Sequence, residues 1–260
     1  MRELLVLQHT ESEFLGLMED HLEGRGIRFR YVRPFAAGTR VPATAFGADG
    51  LLLLGGGPWR AVAAPTLPGV VEELRLVRDA LQRRRPVIGI GLGCQLLCLA
   101  AGGGVVEAAL DFSLGEARRV TGAALGGYLP GRMPIFRFMR DRPVPPAEAE
   151  VLALDELGHP ALLRIAGNCL GFSFHPGCKT AMVEDLLMEI AAGDFGAGEF
   201  GGGPADPLPA LTALRTAQQA IADALVPLMT GVVAATGLMQ EYDARELAMR
   251  RSIAIERDQR

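Results

Sequence analysis

Residues 86–105, PVIGIGLGCQLLCLAAGGGV, decide how this chain is read. Pro86 to Gly91 is an apolar run of strand length, Gly89 to Gly93 is a tight glycine-rich turn, and from Cys94 the apolar residues continue as a helix. A strand that becomes a helix over so few residues needs backbone angles that glycine adopts without steric cost. Such a turn presents whatever stands at its apex, and here the apex is Gly91.

Working outward, strand and helix signals alternate. ELLVLQH (3–9) reads as a first strand, SEFLGLMEDHLEGRG (12–26) as an amphipathic helix closed by glycine, and IRFRYVRP (27–34) as a strand of period two. ADGLLLLGGGP (48–58) is a buried strand entering a second glycine turn, and GVVEELRLVRDALQRRR (69–85) is a helix. Repeated strand–helix–strand units imply right-handed crossovers and a mostly parallel sheet covered on both faces. Ligands of such sheets sit beyond the carboxyl ends of the strands, where both glycine turns fall.

The stretch from 106 to 150 predicts a mixed or antiparallel region, with EARRVTGAAL and MPIFRFMRD as strands around the loop GGYLPGR. EVLALDE, ALLRIAG and CLGFSFHPG give three further strands, and KTAMVEDLLMEIAAGD (179–194) a helix. Phe195 to Pro209 is linker-like in its glycine and proline content. Beyond it Leu211, Leu214, Ile221, Leu225, Leu228 and Val232 recur at helical spacing, with Pro227 a kink, and a charged helix is expected after Gly237. The expected organisation is a domain over 1–194, a linker over 195–209 and a helical extension over 210–260, the extension docking on its own domain or on a partner.

Composition excludes several classes. With 49% hydrophobic and 22% charged residues, the 260-residue chain can bury a sizeable core. A net charge of −4 and the lack of a basic run argue against nucleic acid. Apolar stretches are broken by Gly, Arg or Pro before a membrane-spanning length, so a cytoplasmic protein off the membrane is expected. Cys94, Cys98, Cys169 and Cys178 lack zinc-ribbon spacing and read as free thiols, Cys98 and Cys169 as core residues.

The order of these motifs, LLLLGGGP, then PVIGIGLGCQLLCLAAGGGV, then GFSFHPG, resembles the class I glutamine amidotransferases, in particular stand-alone proteins similar to the glutaminase domain of GMP synthase. The resemblance spans roughly residues 3–192 and implies a three-layer, flavodoxin-like, doubly wound α/β fold. In that family the elbow carries a nucleophilic Cys, a His accepts and returns protons, and a Glu two residues after the His orients it. A thiolate at a helix N-terminus, beside an imidazole and facing backbone N–H groups, is what amide hydrolysis requires.

Carried onto this sequence, the nucleophile's position is Gly91, the His is His175 and the Glu position is Gly177. Nucleophile and orienting carboxylate are both absent, so ordinary glutaminase activity is not expected. Gly56 and Gly57 match the family's oxyanion-side turn, Leu92 would present the backbone N–H after the nucleophile, and Gln95 matches a position framing the glutamine pocket.

One alternative is a rebuilt site. Cys94 lies three residues past Gly91 and Cys178 three past His175, so Cys94 is a substitute nucleophile candidate, and Cys94, His175 and Cys178 together are candidate ligands for zinc or another thiophilic metal. The preferred expectation is no cofactor, a catalytic partner subunit, and a scaffold, regulatory or small amine- or ammonia-handling role; a homo-oligomer is open. GIGLG is not a Gly-x-Gly-x-x-Gly dinucleotide turn, and no lysine follows as in a phosphate loop. His9, at the end of the first strand, could face the site; His21 and His159 read as surface residues, and Trp59 as a packing residue or a lid.

Overall fold

A computed structural model describes residues 2–36, 38–45, 47–62, 67–192, 204 and 206–239. Its centre is a nine-stranded sheet. The parallel half runs β2 (Ile27–Val32), β1 (Arg2–Leu7), β3 (Gly50–Leu53), β4 (Val87–Ile90) and β11 (Cys169–Phe172). From β11 the sheet continues antiparallel through β10 (Pro160–Ile165), β9 (Glu150–Asp155), β6 (Asp111–Arg119) and β7 (Arg132–Met139). A small ribbon pairs β5 (Gly104–Val106) with β8 (Arg142–Val144).

The parallel strands are apolar on both faces because both are covered. Leu4, Val6, Leu52, Ile88, Ile90 and Phe172 pack on one side, under α1 (Met18–Glu23) and α5 (Leu208–Ala235). Leu5, Leu7, Leu51, Leu53 and Val87 pack on the other, under α2 (Val70–Gln82) and α3 (Leu92–Ala100). A third cluster joins β7, α4 (Thr180–Ala192) and the first half of α5 through Phe136, Phe138, Leu186, Leu211 and Leu214.

Of the two expected placements of the last apolar helix, the structure has packing on the protein's own domain. Leu225, Leu228, Met229 and Val232 enter the main core, and Gly231 lets the helix approach Leu125 and Tyr128 closely. Pro227 lies inside α5 without ending it. Among the described residues α5 alone is long and apolar enough to cross a membrane, and one face of its second half, with Leu225, Leu228, Met229, Val232 and Val233, is buried in this core. Most of the 195–209 segment and the charged helix expected after Gly237 lie outside the described residues.

Two boundaries differ from expectation. The strand read in EARRVTGAAL is β6, which starts earlier, at Asp111, and ends at Arg119. The helix expected over 12–26 is only α1, Met18–Glu23. Residues 12–17 are instead a loop that crosses the carboxyl ends of the parallel strands.

Candidate functional site

Four of the five parallel strands deliver a piece of the site at their carboxyl ends. His9 and Glu13 follow β1, Gly55 to Gly57 follow β3, Gly91 follows β4 and His175 follows β11. Glu13, Gly91, His175 and Cys178 line a cavity of about 20 Å³, room for one water.

Gly91 keeps an elbow's geometry. Its φ of 54° and ψ of −113° lie where a side chain is strained, its N–H donates to Phe172 O at 2.8 Å, and α3 starts at the next residue. Space is not the obstacle at this position. A Cβ on Gly91 would stand 3.5 Å from Gly55 Cα and 4.0 Å from Met139 Cβ, ordinary contacts.

At Gly177 the reverse holds. A Cβ there would lie 2.5 Å from Leu15 O and 2.8 Å from Met18 Cγ. The 15–17 segment is tied to this turn, since Leu17 N–H donates to Gly177 O at 2.9 Å. The room a carboxylate would need is filled by chain.

His175 is buried, and its Nε2 lies 2.8 Å from Phe14 O, so that nitrogen carries the proton and donates. Nδ1 is then the lone-pair nitrogen, and it has no hydrogen-bond partner among the described residues. Burial pushes the imidazole down to about 4, which the Phe14 carbonyl only partly offsets. The ring is neutral near pH 7.

Glu13 was not singled out by sequence reasoning, yet it is buried and lines the cavity. It is 4% exposed, and its Oε2 accepts from Gly57 N–H at 3.1 Å, on the turn matched to the family's oxyanion side. The carboxylate lies against Gly55, where any side chain would collide with it. Burial raises its pKa to about 7, with the Gly57 N–H and the charge of His9 opposing. The loop carrying it is braced: Glu13 N–H donates to Thr10 Oγ1, and the Glu189 carboxylate of α4 accepts from Glu11 and Ser12 N–H.

His9 stands behind the turn rather than in the cavity. Its Nδ1 is 3.0 Å from Leu54 O and 2.9 Å from Gly55 O, and its Nε2 is 2.9 Å from Glu73 Oε2. Acceptors at both nitrogens hold the ring as imidazolium: burial works against the charge, and Glu73 outweighs it. The ion pair fastens the glycine turn to β1 and α2.

Cys94 is not brought to His175 and Cys178. Its helix face turns to the opposite side of the sheet, where the thiol packs against Gly171 and beside Cys98. Hydrogen bonding to Cys98 and burial push that thiol well above the ordinary range, and burial does the same to Cys178. No group of three potential metal ligands forms among the described residues, so Cys94, His175 and Cys178, the alternative candidate set for zinc, are not assembled. One turn past an elbow apex, a side chain points into the core rather than at the cavity.

Of the remaining sequence candidates, Gly56 receives the Leu92 side chain, which a Cβ would displace. Gln95 is fully buried and donates from Nε2 to Arg140 O at 2.5 Å, which pins the chain after β7 to α3. Trp59 packs with the α2–α3 cluster. His21 is half-buried against Arg25. His159, expected on the surface, contacts Asp155 and Arg142 and lines a second cavity of about 470 Å³. Met139 separates this cavity from the elbow, lining both. Its central cation, Arg137, is already held by Asp111 and Glu156 at 2.8 and 2.5 Å.

Comparisons with known proteins agree with this geometry. The family model described as glutamine amidotransferase class-I matches residues 11–180. A glutamine amidotransferase from Thermotoga maritima aligns over 90% of this chain and 98% of its own, at 19% identity and a TM-score of 0.73. One from Methylobacillus flagellatus aligns over 94% and 97%, at 23% identity and a TM-score of 0.74. A Thermoplasma acidophilum protein, provisionally described as a GMP synthase subunit, aligns over 69% and 86%, at 18% identity and a TM-score of 0.56. No curated protein matches.

Proposed function

The chain belongs to the class-I glutamine amidotransferase family, and from that premise we propose that it is a member without glutaminase activity, acting as a non-catalytic subunit of a larger metabolic enzyme complex. One observation carries the reading. At the elbow apex stands Gly91, without a side chain, while the loop over residues 14–17 gives its Phe14 carbonyl to His175 Nε2 and its Leu15 carbonyl to the space beside Gly177. Amide hydrolysis needs a nucleophile, a base free to shuttle its proton and a group to orient that base. The first is absent and the third has no room, while His175 is neutral, with its N–H held by the Phe14 carbonyl and its Nδ1 lone pair free.

The role beside a partner draws support from the fold shared with the Thermoplasma acidophilum protein described as a synthase subunit. The folded state spends its C-terminal apolar helix on its own core, so the partner would meet another face.

Ammonia release from glutamine tests the first half. Native protein and a Gly91→Cys variant should both be silent, because restoring the thiol leaves the site without an orienting carboxylate, whose room at Gly177 is filled. Turnover by native protein, above all turnover lost in Cys94→Ser, would overturn the reading. Affinity purification of the full chain from its source should bring down a second enzyme in fixed ratio, and recovery of this chain alone would remove the subunit role.

A further inference from the structure

Strand alternation gives the antiparallel half of the sheet two unlike faces. In β6 and β7, Phe112, Phe136 and Phe138 turn to the face under α4 and α5, where their rings meet edge to face. Asp111, Ser113, Arg137 and Met139 turn to the other, with Asp111 opposite Met139 and Ser113 opposite Arg137. That second face is the floor of the cavity of about 470 Å³, a volume suited to a small molecule. Among the described residues the cavity shares only Met139 with the one at the elbow.

The charges around this floor are unevenly matched. Arg137 is shared between Asp111, at 2.8 Å, and Glu156, at 2.5 Å. Arg60 reaches Asp141 and Glu107, each at 2.9 Å, and the Arg142 guanidinium donates to His159 Nε2 at 2.8 Å. Asp155 is left over. Its Oδ1 accepts from the Leu157 and His159 N–H groups, which fixes the turn between β9 and β10. Its Oδ2 meets His159 Nδ1 only at 3.4 Å and Arg137 at 3.9 Å, too far for a good hydrogen bond. Asp141, also on the lining, has a buried Oδ2 with no hydrogen-bond partner among the described residues. Both carboxylates lack a donor.

The missing donor defines the ligand. An anion would meet carboxylates while the guanidinium groups are engaged, and a neutral molecule would leave the Asp155 charge unanswered. A metal ion lacks ligands, because no group of three potential ones forms among the described residues. An ammonium group brings N–H donors and the opposite charge together. Ala108, Met139, Pro143, Leu157 and Pro160 supply apolar wall for a carbon body.

We propose that this cavity binds a small primary amine that carries no carboxylate, with its ammonium held at Asp155 and its carbon body against Met139, Pro143 and Leu157. The site lies across Met139 from the elbow and needs no nucleophile. It goes beyond the non-catalytic reading and does not rest on it.

Calorimetry on the full chain tests the site with 2-phenylethylamine as the probe. The amine should bind in a single saturable event. 2-Phenylethanol, which keeps the ring and loses the charge, should bind about tenfold more weakly, and 3-phenylpropanoate should not bind. Asp155→Asn keeps the Oδ1 acceptor of the turn and removes the charge, so it should weaken amine binding about tenfold and leave the alcohol unaffected. In amide NMR spectra the amine should move the Ser113, Leu157 and His159 signals. Movement centred on Gly57 and Leu92 would put the amine in the elbow cavity and overturn the proposal. Equal affinity for amine and alcohol, preference for the carboxylate, an Asp155→Asn protein that binds like the native one, or no binding at all overturns it too. Should Asp155→Asn fail to fold, the native protein's choice between amine and alcohol and the position of its shifts still decide. Ammonia release from glutamine bears only on the non-catalytic reading, so the two fail separately.

Discussion

Gly91 and Gly177 stand at the two positions where catalytic side chains would be, and they are glycines for opposite reasons. At Gly91 the backbone is strained for any side chain while the space around it is open. At Gly177 φ lies outside the left-handed region, and the Leu15 carbonyl and Met18 occupy the space. Losing a nucleophile at an elbow relieves strain of about 1–3 kcal/mol. At the orienting position the neighbouring loop fills the space a side chain would need. The first change is reversible by one substitution, whereas the second is locked by packing.

The sharpest way to break this comparison is Gly177→Glu. It forces a side chain into the Leu15 loop and buries a carboxylate beside a neutral His175, and should cost roughly 4 kcal/mol or more in urea denaturation. A near-neutral result would mean that the loop yields easily and that the second loss is not locked.

Next in size is the opposition between Glu13 and His175. Glu13 is held at about 7 against an ordinary 4.5, so its contribution to stability is present at low pH and lost as pH rises through that window. His175 is held at about 4 against an ordinary 6.5, so its contribution is present above 6.5 and lost as pH falls toward 4. Between 4.5 and 6.5 the two slopes oppose each other. Each alone amounts to roughly 3 kcal/mol at full extent. Glu13→Gln should therefore turn a nearly flat stability profile into one rising with pH up to about 6.5, and a variant as flat as the native protein would refute the assignment.

Smaller is Gly91→Cys, expected to lose about 1–2 kcal/mol from backbone strain alone and less than Gly177→Ala, at about 1–3 kcal/mol from overpacking. Reversal of that order in denaturation midpoints would exchange the explanations of the two glycines. The mildest change, Glu189→Ala, removes the acceptor of two loop N–H groups and should cost about 1 kcal/mol, with faster hydrogen exchange confined to residues 11 and 12.

Much of this is legible in the sequence. The elbow at 86–105, the parallel strands and the emptied positions at Gly91 and Gly177 all lie in short local patterns, where spacing and residue type suffice. Residues 12–17 mislead: Phe14, Leu15, Leu17 and Met18 fall at helical intervals, but Phe14, Leu15 and Leu17 are packed as a loop across the strand ends. Glu13 is invisible for the same reason, as one acid in an apparent amphipathic helix; Gly16 inside that helix is the available signal. Cys94 misleads through sequence proximity to Gly91, since one helical turn carries a side chain to the far face of the sheet.

The sequence by itself determined the family, the order of the strands' functional ends and the absence of a nucleophile, because each depends on which atoms a residue has. Only the tertiary structure decided which groups occupy the space around the emptied positions. The occupants come from a loop about 80 and 160 residues away from the elbow and the histidine turn, and packing across the carboxyl ends of the sheet, not spacing along the chain, brings Glu13 to Gly57, Phe14 to His175 and Leu15 to Gly177.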